Sequence, residues 1–320
     1  MTVINDGRAD RNANQTRNMK TNHFSRRQFL ETSAALAGAA LFSPLQLLAA
    51  EKPKRTAVDQ VALGKTGLKL SRLGFGAGSN SGNVQRSLGQ ETFNRLIRHA
   101  YDQGITYFDC AQGYRTFEWL GAALKGLPRE KLFLQSKIPG KPEGVLAAID
   151  KHRKAYDTDY IDSMLVHCMV KDGWTDEYKR VLDGFNEAKE KKWIRAKGVS
   201  CHSLPALRTA AASDWTEVHL VRVNPQGAHI DTPAETWNAT SDASHLEPVL
   251  KEIRTMHAKG HGVIGMKIIG DGDFKNAEDR EKSIRFAMAH PEIHAVVIGF
   301  KSPAEIDEAI QRMNLALAEG

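Results

Sequence analysis

The chain has 320 residues and a formal net charge of +6, with 41% hydrophobic and 26% charged residues, the composition of an ordinary globular protein. Half of that positive surplus lies in residues 1–50, where Arg8, Arg11, Arg17, Lys20, Arg26 and Arg27 face only Asp6, Asp10 and Glu31, so the remaining body is close to neutral and gives no basis for nucleic-acid binding. The cysteines Cys110, Cys168 and Cys201 have no CxxC spacing, which argues against a disulfide framework and leaves no metal motif.

The chain opens on a polar, basic stretch that leads into Ser25–Arg26–Arg27–Gln28–Phe29–Leu30, then an apolar run from Ala34 to Phe42, Pro44, and a small-residue end at Ala49–Ala50. This basic–apolar–small order is that of an export signal, and the arginine pair followed by Phe29 and Leu30 resembles a twin-arginine leader. The apolar core is too short and too rich in Ala and Gly to span a bilayer, so no stable membrane anchor is expected. Residues 1–50 therefore read as an address for the twin-arginine export machinery, cut after Ala50, and the mature chain is expected outside the cytoplasm, in a periplasmic compartment. Residues 51–320 read as the folded body.

That body alternates β-type runs with amphipathic segments. A hairpin turning at Gly64–Gly67 precedes the first strand of the alternation, in "LSRLGFGAG". A helix over Glu91–Asp102 follows, with Phe93, Leu96, Ile97 and Ala100 on one face. Next come the strand "ITYFDCA", the helix "FEWLGAALKG" stopped by Gly126 and Pro128, the strand "KLFLQSK" and a helix over Val145–Tyr156. The strands "YIDSMLVH", "RAKGVSC", "VHLVRVN", "GVIGMK" and "AVVIGF" complete the set, with helices at Tyr178–Lys191, Leu204–Ala212, His245–Lys259, Asp279–Ala289 and Pro303–Leu315. A regular strand–helix alternation of this length predicts an α/β fold, a (β/α)8 TIM barrel with an N-terminal β-hairpin. An open doubly wound sheet would want a G-x-G-x-x-G turn, and Gly74–Ser79 does not supply one. The loop from Pro225 to Ser244, with Trp237, is longer than the others and belongs on the catalytic face.

Asp109 and Tyr114, Lys137, and His167 stand at or just past the ends of three successive strands. On a parallel barrel those ends share one face. A carbonyl that accepts hydride becomes an alkoxide and needs a proton. A phenol is a weak acid with a pKa near 10, and a neighbouring ammonium lowers it by favouring the phenolate. Lys137 can be that ammonium, Asp109 can hold it, and a neutral His167 can orient the carbonyl. By strand alternation, Cys110 and Cys168 should turn away from these residues into the helix layer.

With these residues in place, the chain resembles the aldo-keto reductases, through "GKTGLKLSRLGFG", "FDCAQGY…LGAAL", the "SK" after the third strand, "TDYIDSMLVH", "RAKGVS" and "VIGFKSPAEIDEA". The match runs from about Leu63 to Leu315. The resemblance implies a nicotinamide cofactor extended over the C-terminal face, Tyr114 as acid/base, Asp109 and Lys137 as its tuning pair, and His167 as substrate orienter. It further implies cofactor contacts at Ser200, Cys201, Arg222, Met266, Lys267, Gly299, Lys301, Ser302 and Glu308. Several positions depart from the family pattern: Cys201 replaces an Asn, Arg222 a Gln, and Arg115 the Gly after the catalytic Tyr. Glu305 stands where an Arg often grips the 2′-phosphate, so NADP(H) is only weakly preferred over NAD(H).

Arg222 beside the nicotinamide would repel the oxidised ring or grip an acidic substrate, unless a carboxylate such as Asp109 or Asp231 neutralises it. The function expected is hydride transfer between a nicotinamide cofactor and an aldehyde, ketone or alcohol. The alternatives are an exported nucleotide-binding sensor with little turnover and a cofactor-independent barrel lyase or isomerase.

Overall fold

The structure is a computed structural model that describes residues 55–237 and 241–319; the leader read at residues 1–50 lies outside them. A short antiparallel hairpin, β1 (Gln60–Ala62) and β2 (Lys69–Ser71), pairs Val61 with Leu70. Gly64 and Gly67 turn it with φ of 54° and 75°. At Gly64 space also demands glycine, since a Cβ would come within 2.5 Å of the Gly260 carbonyl.

The eight strands that follow are parallel: β3 (Leu73–Gly76), β4 (Tyr107–Asp109), β5 (Phe133–Pro139), β6 (Ile161–Met169), β7 (Ile194–Cys201), β8 (Val218–Arg222), β9 (Gly262–Met266) and β10 (Ala295–Ile298). They close into a barrel in sequence order, with β10 pairing back on β3. The expected α/β barrel and N-terminal hairpin are both present. The helices at Gln90–Asp102, Phe117–Leu124, Val145–Ala155, Lys179–Glu190, Leu204–Ala212, Leu246–Lys259, Ala277–Met288 and Pro303–Glu319 lie where the periodicity placed them, within a few residues at each end. Two single helical turns, Asn83–Arg86 and Trp174–Glu177, interrupt stretches that read as loop. Neither is long enough to show a period.

Two apolar clusters organise the body. The larger joins the outer faces of the strands to the helices, as in Phe75, Phe93, Phe108, Ile149 and Phe185. The smaller fills the barrel and reaches the hairpin: Leu63, Leu68 and Leu70 pack with Tyr107, Phe133, Leu165, Val218, Leu220 and Ile264. The hairpin thus plugs the end of the barrel where the strands begin, and leaves the mouth at the strand ends open for chemistry.

Leu70 is fully buried in that plug. Leu70→Ala is expected to lower the unfolding free energy by about 2–5 kcal/mol, read from the denaturant midpoint at unchanged slope. A loss under about 1 kcal/mol would show that the hairpin is not part of the cooperative unit.

Candidate active site

The register β4–β5 sets Asp109 opposite Gln135, and Lys137, two residues on, points to the same interior face. The Lys137 ammonium donates to both carboxylate oxygens of Asp109 at 2.7 and 2.6 Å and to the Cys110 carbonyl at 2.8 Å. It is 1% exposed, and Asp109 is 5% exposed. Gln135 Nε2 donates to Asp109 Oδ1 at 2.9 Å and to the Tyr107 hydroxyl at 2.8 Å, so the carboxylate is also held from below. Sequence reasoning did not find this support, because Gln135 and Tyr107 read as ordinary strand positions.

Tyr114 follows on the loop after β4. Its ring lies 5.1 Å from the Lys137 ammonium, measured to the ring centroid, and packs edge-on against His167 at 5.6 Å. Gly78 leaves room for it, since a Cβ there would come within 2.1 Å of the Tyr114 ring. Arg115 donates its backbone N–H to Ser81 and its side chain to Asn83 Oδ1, tying the Tyr114 loop to the loop after β3.

Burial pushes the Tyr114 phenol well above its ordinary pKa, and Asp109 adds to the rise. The expected lowering by Lys137 is not realised, because Asp109 and the Cys110 carbonyl take up the ammonium. Burial also brings His167 down to about 3, with Lys137 acting in the same sense, which leaves a neutral imidazole.

The next strands depart from simple alternation. The β6–β7 register shifts between Val166 and Met169, and Cys168 takes φ 64°, a bulge that re-aims a side chain. Cys168 therefore faces the mouth, with its thiol 3.6 Å from His202 Nε2 and in the field of Lys137, Arg222 and Lys267. The expectation that it points into the helix layer is corrected. Cys110 does sit in that layer, and burial raises its thiol to about 11. Ser200 Oγ accepts from the Cys168 N–H at 3.1 Å, while Cys201 is buried in the outer apolar cluster. Arg222 is 2% exposed and its Nε donates to Asp231 Oδ1 at 2.6 Å. Burial raises Asp231 to about 6 against the pull of Arg222. Arg222 Nη2 and Asp231 Oδ2 have no partner among the described residues.

A cleft of about 520 Å3 opens beside Tyr114 and Asp109. Leu220, Met266 and Val297 line its inner part, and Lys267, Gly299, Lys301, Glu305, Glu308 and Arg312 its outer part. Of the cofactor contacts the resemblance implied, Met266, Lys267, Gly299, Lys301 and Glu308 line this cleft, and Ser200, Cys201, Arg222 and Ser302 are not among its lining residues. Gly299 matters for its missing side chain, because a Cβ would come within 1.9 Å of Ser79 Oγ and fill the cradle. Ser302 Oγ accepts from the Glu305 N–H at 3.3 Å, and Lys267 pairs with Asp271 at 2.8 Å. Arg280 and Arg312 also line the cleft. They went unread because each lies on a charged helix face that looks solvated in sequence. An apolar inner end beside the phenol and a polar, cation-bearing outer end fit an extended dinucleotide. Among the described residues no group of three or more His, Cys, Asp or Glu could hold a metal ion.

Fold and site together define a barrel protein whose mouth carries a phenol, a buried Lys–Asp pair and an imidazole beside an open cleft. The chain belongs to the aldo/keto reductase family, whose model matches residues 72–284. It is 33% identical over 297 residues to L-galactose dehydrogenase of Arabidopsis thaliana, a match covering 80% of this chain and 88% of that one. It is 35% identical over 125 residues to an aldo-keto reductase of Glycine max, covering 34% of this chain and only 36% of the relative's length. A solved Pseudomonas aeruginosa structure assigned to the aldo-keto reductases superposes with a TM-score of 0.65 at 21% identity, over 82% of this chain and 98% of that one. That likeness speaks for the barrel.

A carbonyl reduction that drew its proton from Tyr114 would need the phenol protonated. Its upward shift keeps the proton on through neutral pH and releases it only in alkali. His167, at about 3, stays neutral over the same range and adds no limb near its ordinary 6.5. The expected kcat profile for reduction is flat from about pH 5 upward, with any fall lying above the ordinary phenol pKa near 10. A limb near neutrality that vanishes in His167→Gln would contradict this assignment.

Proposed function

We propose that the chain is a nicotinamide-dependent oxidoreductase that interconverts an aldehyde or ketone with its alcohol, with Tyr114 as general acid and base. One observation carries the reading: the buried Lys137–Asp109 pair and the neutral His167 converge on the Tyr114 phenol, and Asp109 and Tyr114 line the cleft. Leu220, Met266 and Val297 would hold the nicotinamide end of the cofactor, with Lys267, Lys301 and Glu308 toward the other. When bound there, the nicotinamide supplies or takes the hydride.

The protein's own part is proton transfer and orientation. The His167 imidazole, neutral, can donate a hydrogen bond to the substrate oxygen and fix it near the phenol. Tyr114 Oη gives its proton to that oxygen as negative charge develops. An alkoxide is a stronger base than a phenolate, so the transfer stays favourable even with the phenol pushed up. Lys137, locked by Asp109 and the Cys110 carbonyl, presents its charge next to the phenolate that remains, and stabilises it without reorganising. In the oxidation direction the same atoms work in reverse, with Tyr114 as base.

Tyr114→Phe removes the proton and little else. It is expected to lower kcat by about 10²–10⁴-fold while nicotinamide binding, followed by fluorescence, stays within about threefold. Binding with no turnover of any carbonyl by the wild type would favour a sensor. Turnover that survives the substitution would favour a lyase or isomerase.

The leader supports a further proposal: the chain leaves the cytoplasm through the twin-arginine route, folded and with its cofactor already seated, and works in the periplasm or an equivalent space. Replacing both Arg26 and Arg27 by Lys should leave the full-length protein in the cytoplasm, as read by fractionation. Unchanged export of that variant would reject the route.

A further inference from the structure

With the reactive ring beside Tyr114, the other half of a dinucleotide must lie at the far end of the cleft, against the helix Pro303–Glu319. Glu305, Glu308, Ala309 and Arg312 of that helix line it there. This placement rests on the function proposed above. The question is which adenosine ribose that end accepts, one with a free 2′-hydroxyl or one with a 2′-phosphate.

Three of the cations that line the cleft here are already engaged, while the exposed Lys275 lines it as well. The Lys301 backbone N–H donates to Glu305 Oε2 at 2.7 Å, and the Lys301 ammonium lies 3.5 Å from Glu305 Oε1. Arg280 pairs with Glu308 at 2.9 Å. Arg312 pairs with Glu308 at 2.7 Å and with Glu281 at 2.5 Å. Lys301, Arg280 and Arg312 are thus matched one for one by Glu281, Glu305 and Glu308. The amide at the start of the helix, which an anion would use, is taken by the Glu305 carboxylate. Glu305 and Glu308 are each part-exposed, at 37% and 29%, so both face whatever enters.

We infer that this end of the cleft selects the unphosphorylated dinucleotide, with Glu305 as the discriminating residue. A ribose 2′-hydroxyl is a donor, and a carboxylate accepts from it. A 2′-phosphate carries roughly −1.5 to −2 charges at neutral pH and has no proton to offer there. It would meet Glu305 and Glu308 as like charges and would find the Lys301 amide and ammonium occupied. To bind, it must expel Glu305 from both. Acid for the free hydroxyl and base for the phosphate is the general division of labour at such riboses. The weak preference for NADP(H) drawn from the sequence included Lys301 and Ser302 among the cofactor contacts; in the structure the Glu305 carboxylate holds Lys301, and Ser302 Oγ accepts from the Glu305 N–H.

The test is a pair of binding titrations on the intact protein, with NADH and with NADPH, followed by nicotinamide fluorescence and repeated in Glu305→Gln and Glu305→Arg. NADH is expected to bind the wild type roughly tenfold or more tightly than NADPH. Glu305→Gln should narrow that ratio, chiefly by improving NADPH, and Glu305→Arg should invert it. Retained NADH binding by the Gln variant shows that it is folded. Equal or tighter NADPH binding by the wild type overturns the inference and leaves the oxidoreductase reading standing. An unchanged ratio in Glu305→Gln removes Glu305 from the role. Failure of the wild type to bind either dinucleotide overturns the oxidoreductase reading, and this inference with it.

Discussion

The site depends on how the Lys137 ammonium is buried. A charge taken out of water without partners costs several kcal/mol, and Lys137 is 1% exposed. Its protons go to Asp109 Oδ1, Asp109 Oδ2 and the Cys110 carbonyl. That solution constrains the neighbourhood. Asp109 must lie on the adjacent strand at the Gln135 register, the chain must leave β4 so that the Cys110 carbonyl faces inward, and Gln135 must hold the carboxylate from the strand below. Tyr114 is five residues past Asp109, so the same loop exit delivers the phenol. Two neighbouring strands and one tight turn therefore place three of the four reacting groups. The fourth, His167, stands one strand further on, two residues past Leu165, which pairs with Lys137 across β5–β6.

The same pairing changes what the lysine can do. A free ammonium near Tyr114 would favour the phenolate. Once Asp109 has compensated it, burial dominates and Asp109 pushes in the same direction, so the phenol rises and stays protonated. The group that waits for substrate is then a neutral donor beside a neutral imidazole, with a fixed ion pair behind them. Lys137 still matters after the proton leaves, when negative charge appears on Tyr114 Oη beside a positive charge that is already oriented.

The barrel was legible because its strands recur at regular intervals with helices of clear period between them. Asp109, Tyr114, Lys137 and His167 were legible because each residue type is unusual at a strand end and the four come in order. What the sequence hid has physical causes. Gln135 and Tyr107 support the site from strand interiors, where a polar residue looks like any other. Cys168 obeys a bulge, and a one-residue irregularity in register leaves no trace in an apolar pattern. Arg280 and Arg312 reach the cleft from helices, where charge reads as solvated surface. Glu305 was visible as a departure, but its hold on Lys301 needed the fold of the last loop.

Around the mouth, charge is cancelled locally. Lys137 meets Asp109, Lys267 meets Asp271, and Arg222 meets Asp231. For Arg222 this decides between two physical effects. An unpaired guanidinium would repel an oxidised nicotinamide by its charge, whatever its orientation. Paired with Asp231, both nearly fully buried, it presents almost no net charge, and its long-range term falls away. What remains is directional: Arg222 Nη2 is a donor and Asp231 Oδ2 an acceptor, both buried and both without a partner among the described residues. A buried donor left unmatched carries a penalty of about 1–3 kcal/mol. Arg222 is not among the residues that line the cleft, so with its charge cancelled by Asp231 it acts on a bound molecule only indirectly.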